Sequence, residues 1–263
     1  MKLGCCVSML ASTATKIGDE NIPDFKECGY DYIELPLAQV MDLSPEDFTK
    51  MYQQIEGIAV EVCNNFFPPS VRLTGEEHNL EKTLEYVKRA TQRAATMGVE
   101  VIVLGSGGAK NIPEGFPYAR AKEQFTALLY KLQDIVAPLG ITVVLEPLNS
   151  LESNFVLTAA EGLEIVKEVN CDNIKLLVDY YHMRMENESL EVLAKAGKDI
   201  RHLHIAAKDG RVFPHENDGE DYKPFFDSLK AIGYDARISV EGFSKNVRED
   251  AKNAAKLLRG VMP

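Results

Sequence analysis

Several features are missing from this 263-residue sequence, and each absence excludes a class of protein. No apolar run approaches the roughly 18 residues of a membrane-spanning helix, so we predict no membrane protein. The 29 basic residues are outnumbered by 40 acidic ones, the net charge is −11, and no Lys/Arg cluster stands out. Such a surface repels phosphate backbones, which argues against nucleic-acid binding. Because no linker or repeat interrupts the chain, we predict one domain over residues 1–263.

Cysteine is scarce and irregularly spaced. The five cysteines are odd in number and lack a metal-type CxxC spacing: Cys5, Cys6, Cys28, Cys63 and Cys171. We therefore expect a reduced, cytoplasmic protein. The N-terminal stretch LGCCVSMLA resembles a weak signal peptide, but only Lys2 precedes it as a basic residue, and we interpret the stretch as a first strand.

What the sequence does contain is an alternation of short apolar runs with longer segments of helical periodicity. The runs predict strands over residues 2–7, 31–35, 57–63, 99–104, 141–146, 173–179, 201–205 and 236–241. The segments between them predict helices near 21–28, 44–55, 79–96, 119–138, 158–169, 188–197, 222–232 and 245–260. Eight such pairs indicate a parallel sheet that closes into a (β/α)8 TIM barrel, a fold of about 250 residues. A doubly wound open sheet is the alternative, but no GxGxxG follows the first strand.

Capping signals support the helix boundaries. Ser44 precedes a proline and two acidic residues, which is typical of a helix N-terminus. Thr158 with Glu161 three residues later forms a capping-box pattern. Four glycines just beyond predicted helices indicate C-terminal caps, namely Gly29, Gly98, Gly140 and Gly233.

Ionisable residues stand at the ends of four predicted strands. The fifth strand ends on Glu146, the sixth on Asp179 and the eighth on Glu241, and the seventh carries His202 and His204. Taken singly, a strand-end carboxylate is usually solvated, and a histidine in an apolar strand is usually a core residue. In a barrel, however, the C-terminal ends of all strands converge on one face, where the catalytic loops lie. We therefore expect these side chains to meet.

Three carboxylates in one barrel mouth would raise one another's pKa values unless a cation lay among them. Two Glu, one Asp and one imidazole suit a divalent ion such as Mn²⁺, Co²⁺ or Mg²⁺, whereas zinc sites usually contain more His or Cys. His204 is the better ligand candidate of the two histidines because it lies nearer the C-terminal end of its strand. The sequence thus predicts one metal ion held by Glu146, Asp179, His204 and Glu241.

Four motifs on successive strands of the second half together resemble one known family: LEPLNSLE, VDYYH, HLHIA and SVEGF. They are similar to those of sugar isomerases and epimerases with xylose isomerase-like barrels, and most similar to the ketose 3-epimerases that act on D-tagatose and D-psicose. The resemblance extends over essentially the whole chain. It implies that the four strand-end residues bind one Mn²⁺-like ion, and that the protein forms a homodimer or homotetramer.

The resemblance also assigns residues to a sugar substrate. It implies that Glu152 and His182 contact the sugar near its carbonyl, and that an arginine after the seventh strand completes the site. Arg211 is that candidate, although it lies seven residues after His204 where the family spacing is six. Ala207 stands where the family usually has an acidic residue. Because the chain contains no Trp, any surface that stacks on the sugar must come from Phe or Tyr.

The reaction that the resemblance implies is epimerisation at C3 of a ketose through a cis-enediolate. A proton leaves one face of a carbon beside the carbonyl and returns to the other face, which requires two acid/base groups on opposite sides. Glu146 and Glu241 are the candidates for this pair, with the metal stabilising the developing charge.

Other reactions suit the same barrel and metal set. An aldose–ketose isomerase of the hydroxypyruvate or xylose isomerase type uses the same enediolate, and an inosose-type dehydratase expels hydroxide after the same deprotonation. A DNA-repair endonuclease with this barrel needs more His ligands and a basic groove, against which five His and a charge of −11 argue. A non-catalytic sugar-binding barrel is disfavoured because all four ligands are present.

The sequence leaves the roles of three loops open. LGSGGAK (104–110) is either a phosphate cradle that includes Lys110 or a wall of the sugar pocket. NNFFPPS (64–70) is a lid, a pocket wall or an ordinary surface turn, and HENDGEDY (215–222) is interpreted as a solvated acidic loop.

Overall fold

The structure is a computed structural model that describes residues 1–55 and 57–263. Eight parallel strands form a closed barrel in which each strand pairs with its neighbours in chain order and β8 pairs with β1. The strands are β1 (Lys2–Cys6), β2 (Tyr32–Pro36), β3 (Ala59–Asn64), β4 (Val101–Leu104), β5 (Thr142–Leu145), β6 (Ile174–Asp179), β7 (Ile200–Ile205) and β8 (Arg237–Val240). The predicted TIM barrel is confirmed, and the open-sheet alternative is wrong.

Eleven α-helices are present in the described residues, and eight of them correspond to the predicted helices. These eight are α1 (Ile22–Glu27), α3 (Pro45–Gln54), α4 (Leu80–Thr96), α6 (Tyr118–Val136), α7 (Ala159–Val169), α9 (Glu191–Ala196), α10 (Lys223–Ala231) and α11 (Val247–Val261). The three that the periodicity missed are α2 (Leu37–Asp42), α5 (Gly107–Lys110) and α8 (Tyr180–Met185). Each of the three is six residues or shorter and begins within three residues of the C-terminal end of a strand, so its apolar residues continue those of the strand and show no separate helical period.

The helix caps form as the sequence predicts. The Ser44 side chain accepts a hydrogen bond from the Asp47 backbone N–H at 3.1 Å, and the Thr158 side chain accepts one from Glu161 at the same distance. All four predicted cap glycines adopt positive φ angles, between 68° and 83°. Ser44 and Thr158 thus begin helices, and the glycines follow the ends of helices, where the chain turns back toward the next strand.

Side chains alternate between the barrel interior and the layer of helices. An interior cluster of buried residues consists of Tyr32, Val62, Val101, Val103, Val144 and Leu177. Since residues two apart on a strand share a face, Glu146 follows Val144, and Asp179 follows Leu177, on the inward side. The pairing of β6 with β7 sets Asp179 opposite His204. The ionisable side chains at these strand ends therefore point into the barrel interior and lie close together.

Two general features of the chain also emerge from the structure. All five cysteines are free thiols. None of the helices in residues 1–55 and 57–263 is both long and apolar enough to cross a membrane.

The stretch that resembles a signal peptide supplies β1, which hydrogen-bonds to β2 and β8 and so closes the barrel.

Candidate active site

The four predicted metal ligands meet at the C-terminal end of the barrel. Glu146 and Glu241 directly follow β5 and β8, Asp179 ends β6, and His204 lies within β7. The Nδ1 atom of His204 lies 2.8 Å from Glu146 Oε1 and 3.4 Å from Glu241 Oε2. Oxygen or nitrogen atoms of Glu146, Asp179, Glu241 and His182 all lie within 4.8 Å of one another. The structure thus brings together residues from four different strands and from α8.

The electrostatics of this cluster favour a cation. Burial, together with the neighbouring Glu241 and Glu146, raises the pKa of Asp179 to about 7, and burial also raises the pKa of Glu146. Burial alone would raise the pKa of Glu241 as well, but His204 and Arg211 lower it to about 2. The pKa of Asp179 rises this far because burial and the two neighbouring carboxylates outweigh the positive charges of Arg211 and His204.

Unsatisfied atoms point to the same conclusion. Asp179 Oδ2 is buried and has no hydrogen-bond partner in the described residues, while its Oδ1 accepts from the Tyr181 backbone N–H at 2.7 Å. A buried carboxylate oxygen without a donor is costly unless something positive contacts it. Three carboxylates and one imidazole are a suitable donor set for Mn²⁺, Co²⁺ or Mg²⁺. The residues present therefore fit a divalent cation.

The two histidines of the cluster present different ring nitrogens to the site. His182 Nδ1 accepts hydrogen bonds from the backbone N–H of Asn149 at 3.1 Å and from its side-chain amide at 2.8 Å. Nδ1 therefore presents a lone pair, and the single proton of the neutral ring is on Nε2. Burial and Arg211 lower the pKa of His182 to about 3, which keeps the ring neutral. His182 consequently offers an N–H donor to the site, whereas His204 Nδ1 faces the carboxylates.

Asn149 was missed by the sequence analysis, although it lies within LEPLNSLE. It is buried, and besides His182 it contacts Glu152, whose Oε1 accepts from its amide at 3.0 Å. One asparagine thus orients two residues that the resemblance assigns to the substrate. The sequence places Asn149 between two carboxylates of one motif, but this position carries no information about its contact with His182 in α8.

Arg211 reaches the site despite the longer loop. Its guanidinium donates to both carboxylate oxygens of Glu152 at 3.1 Å and to Glu241 Oε2 at 2.5 Å, and it lies 4.7 Å from the centre of the Tyr181 ring. Gly210 and Arg211 both adopt positive φ angles, 73° and 48°. Two successive residues in the left-handed region turn the chain sharply, so the loop accommodates its additional residue and Arg211 still reaches the site. The arginine therefore links the carboxylates after β5 and β8.

The glycine-rich loop after β4 makes room for Glu146. A Cβ atom on Gly105 would lie 2.0 Å from Glu146 Oε2. The same loop carries Lys110, which is fully buried and donates from Nζ to the Glu146 carbonyl oxygen at 2.8 Å. Burial lowers the pKa of Lys110 to about 7. Because this lysine lies behind Glu146 and away from solvent, the phosphate-cradle interpretation of the loop is not supported.

Substituting Gly105 by Ala should damage the metal site and leave the fold intact. The added methyl group must displace the Glu146 carboxylate, which is the mobile end of a side chain, so the backbone need not move. We expect Mn²⁺ affinity, measured by titration calorimetry, to fall by about 10–100-fold. Gly108→Ala is the matched control, because its Cβ would approach only the Pro69 ring, at 3.2 Å. Equal affinities of the Gly105→Ala variant and the unmodified protein would contradict the prediction.

The two remaining loops are more ordered than the sequence indicates. Phe66 and Phe67 of the NNFFPPS segment are buried and contact Tyr86, whereas Pro69 and Ser70 are exposed in a turn, so the aromatic half of the segment is packed and its end is a surface turn. In the acidic loop, Glu220 accepts from the Tyr180 hydroxyl and from Arg184 Nε, both at 2.8 Å. The Glu220 side chain is only 6% exposed, so the prediction of a solvated loop is wrong at this residue.

Comparison with known proteins tests the resemblance directly. Residues 22–261 match the family described as xylose isomerase-like TIM barrel. The chain belongs to this family. The match covers the barrel from α1 to the last helix, so the family prediction made from four short motifs is confirmed.

The similar proteins of this family are mostly ketose epimerases. The chain is 26% identical over 247 residues to a probable ketose 3-epimerase of Synechocystis sp., covering 91% of this chain and 83% of that protein. It is 27% identical over 259 residues to a fructoselysine 3-epimerase of Escherichia coli O157:H7, covering 91% and 92% of the two chains. A crystal structure of D-psicose 3-epimerase with D-fructose superposes with a TM-score of 0.86 at 22% identity, over 100% and 99% of the two chains.

Proposed function

We propose that the protein is a divalent metal-dependent ketose 3-epimerase and that Mn²⁺ is the ion it uses. The observation that carries this proposal is the group of Glu146, Asp179 and Glu241, whose carboxylates lie within 4.8 Å of one another at the C-terminal end of the barrel. His204 Nδ1 contacts two of the three, Glu146 and Glu241. The relatives that match most of the chain and are named as 3-epimerases of ketoses also support the proposal. Assembly into a homodimer or homotetramer stays a prediction from the resemblance.

Glu146 and Glu241 are the proposed acid/base pair. They follow strands five and eight, so their carboxylates enter the barrel mouth from different sides, and both contact the same imidazole nitrogen of His204. A ketose bound between them would present one face of C3 to each carboxylate. One group removes the C3 proton, and the other returns a proton to the opposite face.

The bound cation would hold the substrate's carbonyl and hydroxyl oxygens and stabilise the negative charge of the enediolate. Glu146, Asp179, His204 and Glu241 would hold that cation. The protein's own contribution to orientation is the Nε2–H of His182, which would donate to the carbonyl oxygen of the sugar. In the described residues it makes no hydrogen bond, and Asp179 Oδ2 lies 3.4 Å from it. Since two Asn149 donors fix this tautomer, the ring donates in every catalytic cycle without changing its protonation.

Glu152 and Arg211 would position the hydroxyl groups beside the reacting carbon. Glu152 has a partly exposed side chain that already accepts from Arg211 and Asn149, so a sugar hydroxyl can replace one of these donors. Arg211 has a buried Nε without a partner in the residues that the structure describes. Both residues therefore retain hydrogen-bonding capacity toward a ligand.

The rival chemistries differ in their products. An aldose–ketose isomerase moves the carbonyl group, a C3 epimerase leaves it at C2, and a dehydratase creates an ultraviolet-absorbing enone or diketone. The chain also matches fructoselysine 3-epimerases over 91–92% of their length, so a ketose that carries a substituent belongs in the substrate panel.

The test is proton NMR of a ketose panel incubated in D₂O with the Mn²⁺-loaded protein. The panel contains fructose, psicose, tagatose, sorbose, ribulose, xylulose and fructoselysine. Deuterium at C3 with accumulation of the C3 epimer is the expected result. Exchange at C1 with aldose formation would replace the proposal by an isomerase, and metal-loaded protein that exchanges no proton of any sugar would contradict it.

A further inference from the structure

Glu34 is a buried carboxylate in β2 that the proposed reaction does not use. Its side chain is fully buried, Oε1 lies 3.0 Å from His204 Nε2, and Oε2 lies 2.9 Å from His202 Nε2. Ser239 Oγ donates to Oε2 at 2.7 Å, and the Tyr32 hydroxyl lies 2.8 Å from Ser239 Oγ. Two histidines of one strand and a serine of the next thus converge on a single carboxylate in the barrel interior.

The contact with Glu34 keeps a proton on Nε2 of His204. A carboxylate accepts hydrogen bonds, so the nitrogen that faces it, Nε2, carries hydrogen. Nδ1 faces the carboxylates of Glu146 and Glu241, so in the metal-free protein it donates as well. A cation held by these carboxylates would take the place of the Nδ1 proton, and Nδ1 would offer it a lone pair as long as the remaining proton stays on Nε2. Besides Glu34, the described contacts give Nε2 one weaker partner, Cys6 Sγ at 3.7 Å.

We propose that Glu34 is a positioning residue for the metal site: it holds the Nε2–H of His204, so that Nδ1 presents its lone pair to the divalent cation. His202 and Ser239 donate to the second oxygen of Glu34 and keep the carboxylate in place. The inference rests on the proposed metal site and deepens it. It gives a role to the first histidine of the HLH motif, whose Nδ1 has no partner in the described residues.

Glu34, His202 and His204 are also close enough to hold an ion themselves. The contacts argue against this alternative, because three donors approach Glu34 at distances of 2.7–3.0 Å, which are hydrogen-bond lengths. An ion there would need both histidines to release the hydrogen of Nε2, and it would meet the Ser239 hydroxyl as well. The number of ions bound per chain separates the two alternatives.

The experiment is calorimetric titration of the full metal-free chain with Mn²⁺, for the unmodified protein and for Glu34→Gln. Glutamine keeps the shape, but its amide has one acceptor oxygen, and its NH₂ group would face an imidazole N–H. We expect one Mn²⁺ per chain in both proteins, with binding about 10–100-fold weaker in Glu34→Gln. Unchanged affinity in Glu34→Gln, or a second ion that only the unmodified protein binds, would overturn the proposal.

Tyr32→Phe is the matched control. It removes a hydroxyl from the same buried network without touching Glu34 or His204, so its Mn²⁺ affinity should stay near that of the unmodified protein. An equal loss in Tyr32→Phe would mean that general disturbance of the interior, and not the Glu34 contact, weakens binding. An unmodified protein that binds no Mn²⁺ at all would instead refute the metal site on which this inference rests.

A measurement on the unmodified protein covers the case in which Glu34→Gln does not fold. Multiple-bond ¹H–¹⁵N spectra of ¹⁵N-histidine-labelled protein, loaded with diamagnetic Zn²⁺, report the tautomer of each ring. We expect His204 to carry hydrogen on Nε2, with the proton signal shifted downfield by its carboxylate acceptor. Hydrogen on Nδ1 of His204 in the loaded protein would overturn the proposal.

Discussion

Replacing Glu146 by Gln should lower turnover of the ketose substrate by about 10²–10⁴-fold. The amide keeps the size of the side chain and one oxygen that can face the cation, but it cannot accept or return a proton. Asp179 and Glu241 also lie within 4.8 Å of Glu146, but they come from other strands, and Glu241 is the proposed partner for the opposite face of the sugar. The measurement is steady-state turnover together with loss of the C3 proton into D₂O, at saturating Mn²⁺.

Glu241→Gln should have an effect of the same size, and it also weakens the contact of Arg211 with the carboxylate at 2.5 Å. Glu220→Gln is the control, since Glu220 is also a shielded carboxylate but pairs with Tyr180 and Arg184 outside the cluster. Its turnover should stay near that of the unmodified enzyme. A Glu146→Gln protein that binds metal and turns over at the unmodified rate would disprove the acid/base assignment.

Removing the metal with a chelator should reduce epimerisation to the background rate, and re-adding Mn²⁺ should restore it. Without a cation, the positive partners of Glu146, Asp179 and Glu241 within residues 1–55 and 57–263 are His204 and Arg211. Loss of the ion should also lower the melting temperature, because a ligand at 100 times its Kd stabilises the folded state by about 2.7 kcal/mol. Full activity in dialysed protein with far less than one metal per chain would contradict metal dependence.

The pH dependence of stability tests the raised pKa of Asp179 in the metal-free protein. Asp179 has its pKa raised from 3.8 to about 7 in the folded state, by burial and by Glu241 and Glu146. Asp179 therefore contributes a decrease in the free energy of unfolding as the pH rises from about 4 to 7, because its proton is bound more tightly in the folded protein. His182, whose pKa is lowered to about 3, contributes an increase over the same range. Bound Mn²⁺ should remove the Asp179 contribution, because it favours the ionised carboxylate, so the stability gained from Mn²⁺ should grow as the pH rises. Urea unfolding across this pH range, with and without metal, measures the difference.

Arg211 shows where sequence spacing is a poor guide. Its position seven residues after His204 departs from the family pattern, yet its guanidinium contacts Glu152 and Glu241. Gly210 and Arg211 have positive φ angles, and this local turn brings the arginine back to the site although the loop is one residue longer. A spacing pattern counts residues and contains no information about backbone conformation.

The sequence by itself determined the barrel and the grouping of four candidate ligands at its strand ends. Apolar runs alternate with segments of helical periodicity, and together with the helix caps they specify the order of strands and helices. A parallel barrel must then bring all C-terminal strand ends to one face. Glu146, Asp179, His204 and Glu241 could therefore be grouped before any coordinates were known. That inference needed only the local pattern and one rule of topology.

Only the tertiary structure decided what each histidine does. His182 receives two donors from Asn149, 33 residues away, and His204 contacts Glu34, 170 residues away. Glu34 carried the same signal as Glu146, a charged residue in an apolar strand, but its partner was not readable from the sequence. A ring's tautomer depends on which nitrogen faces an acceptor, and that is a property of contacts between strands that no local sequence pattern contains.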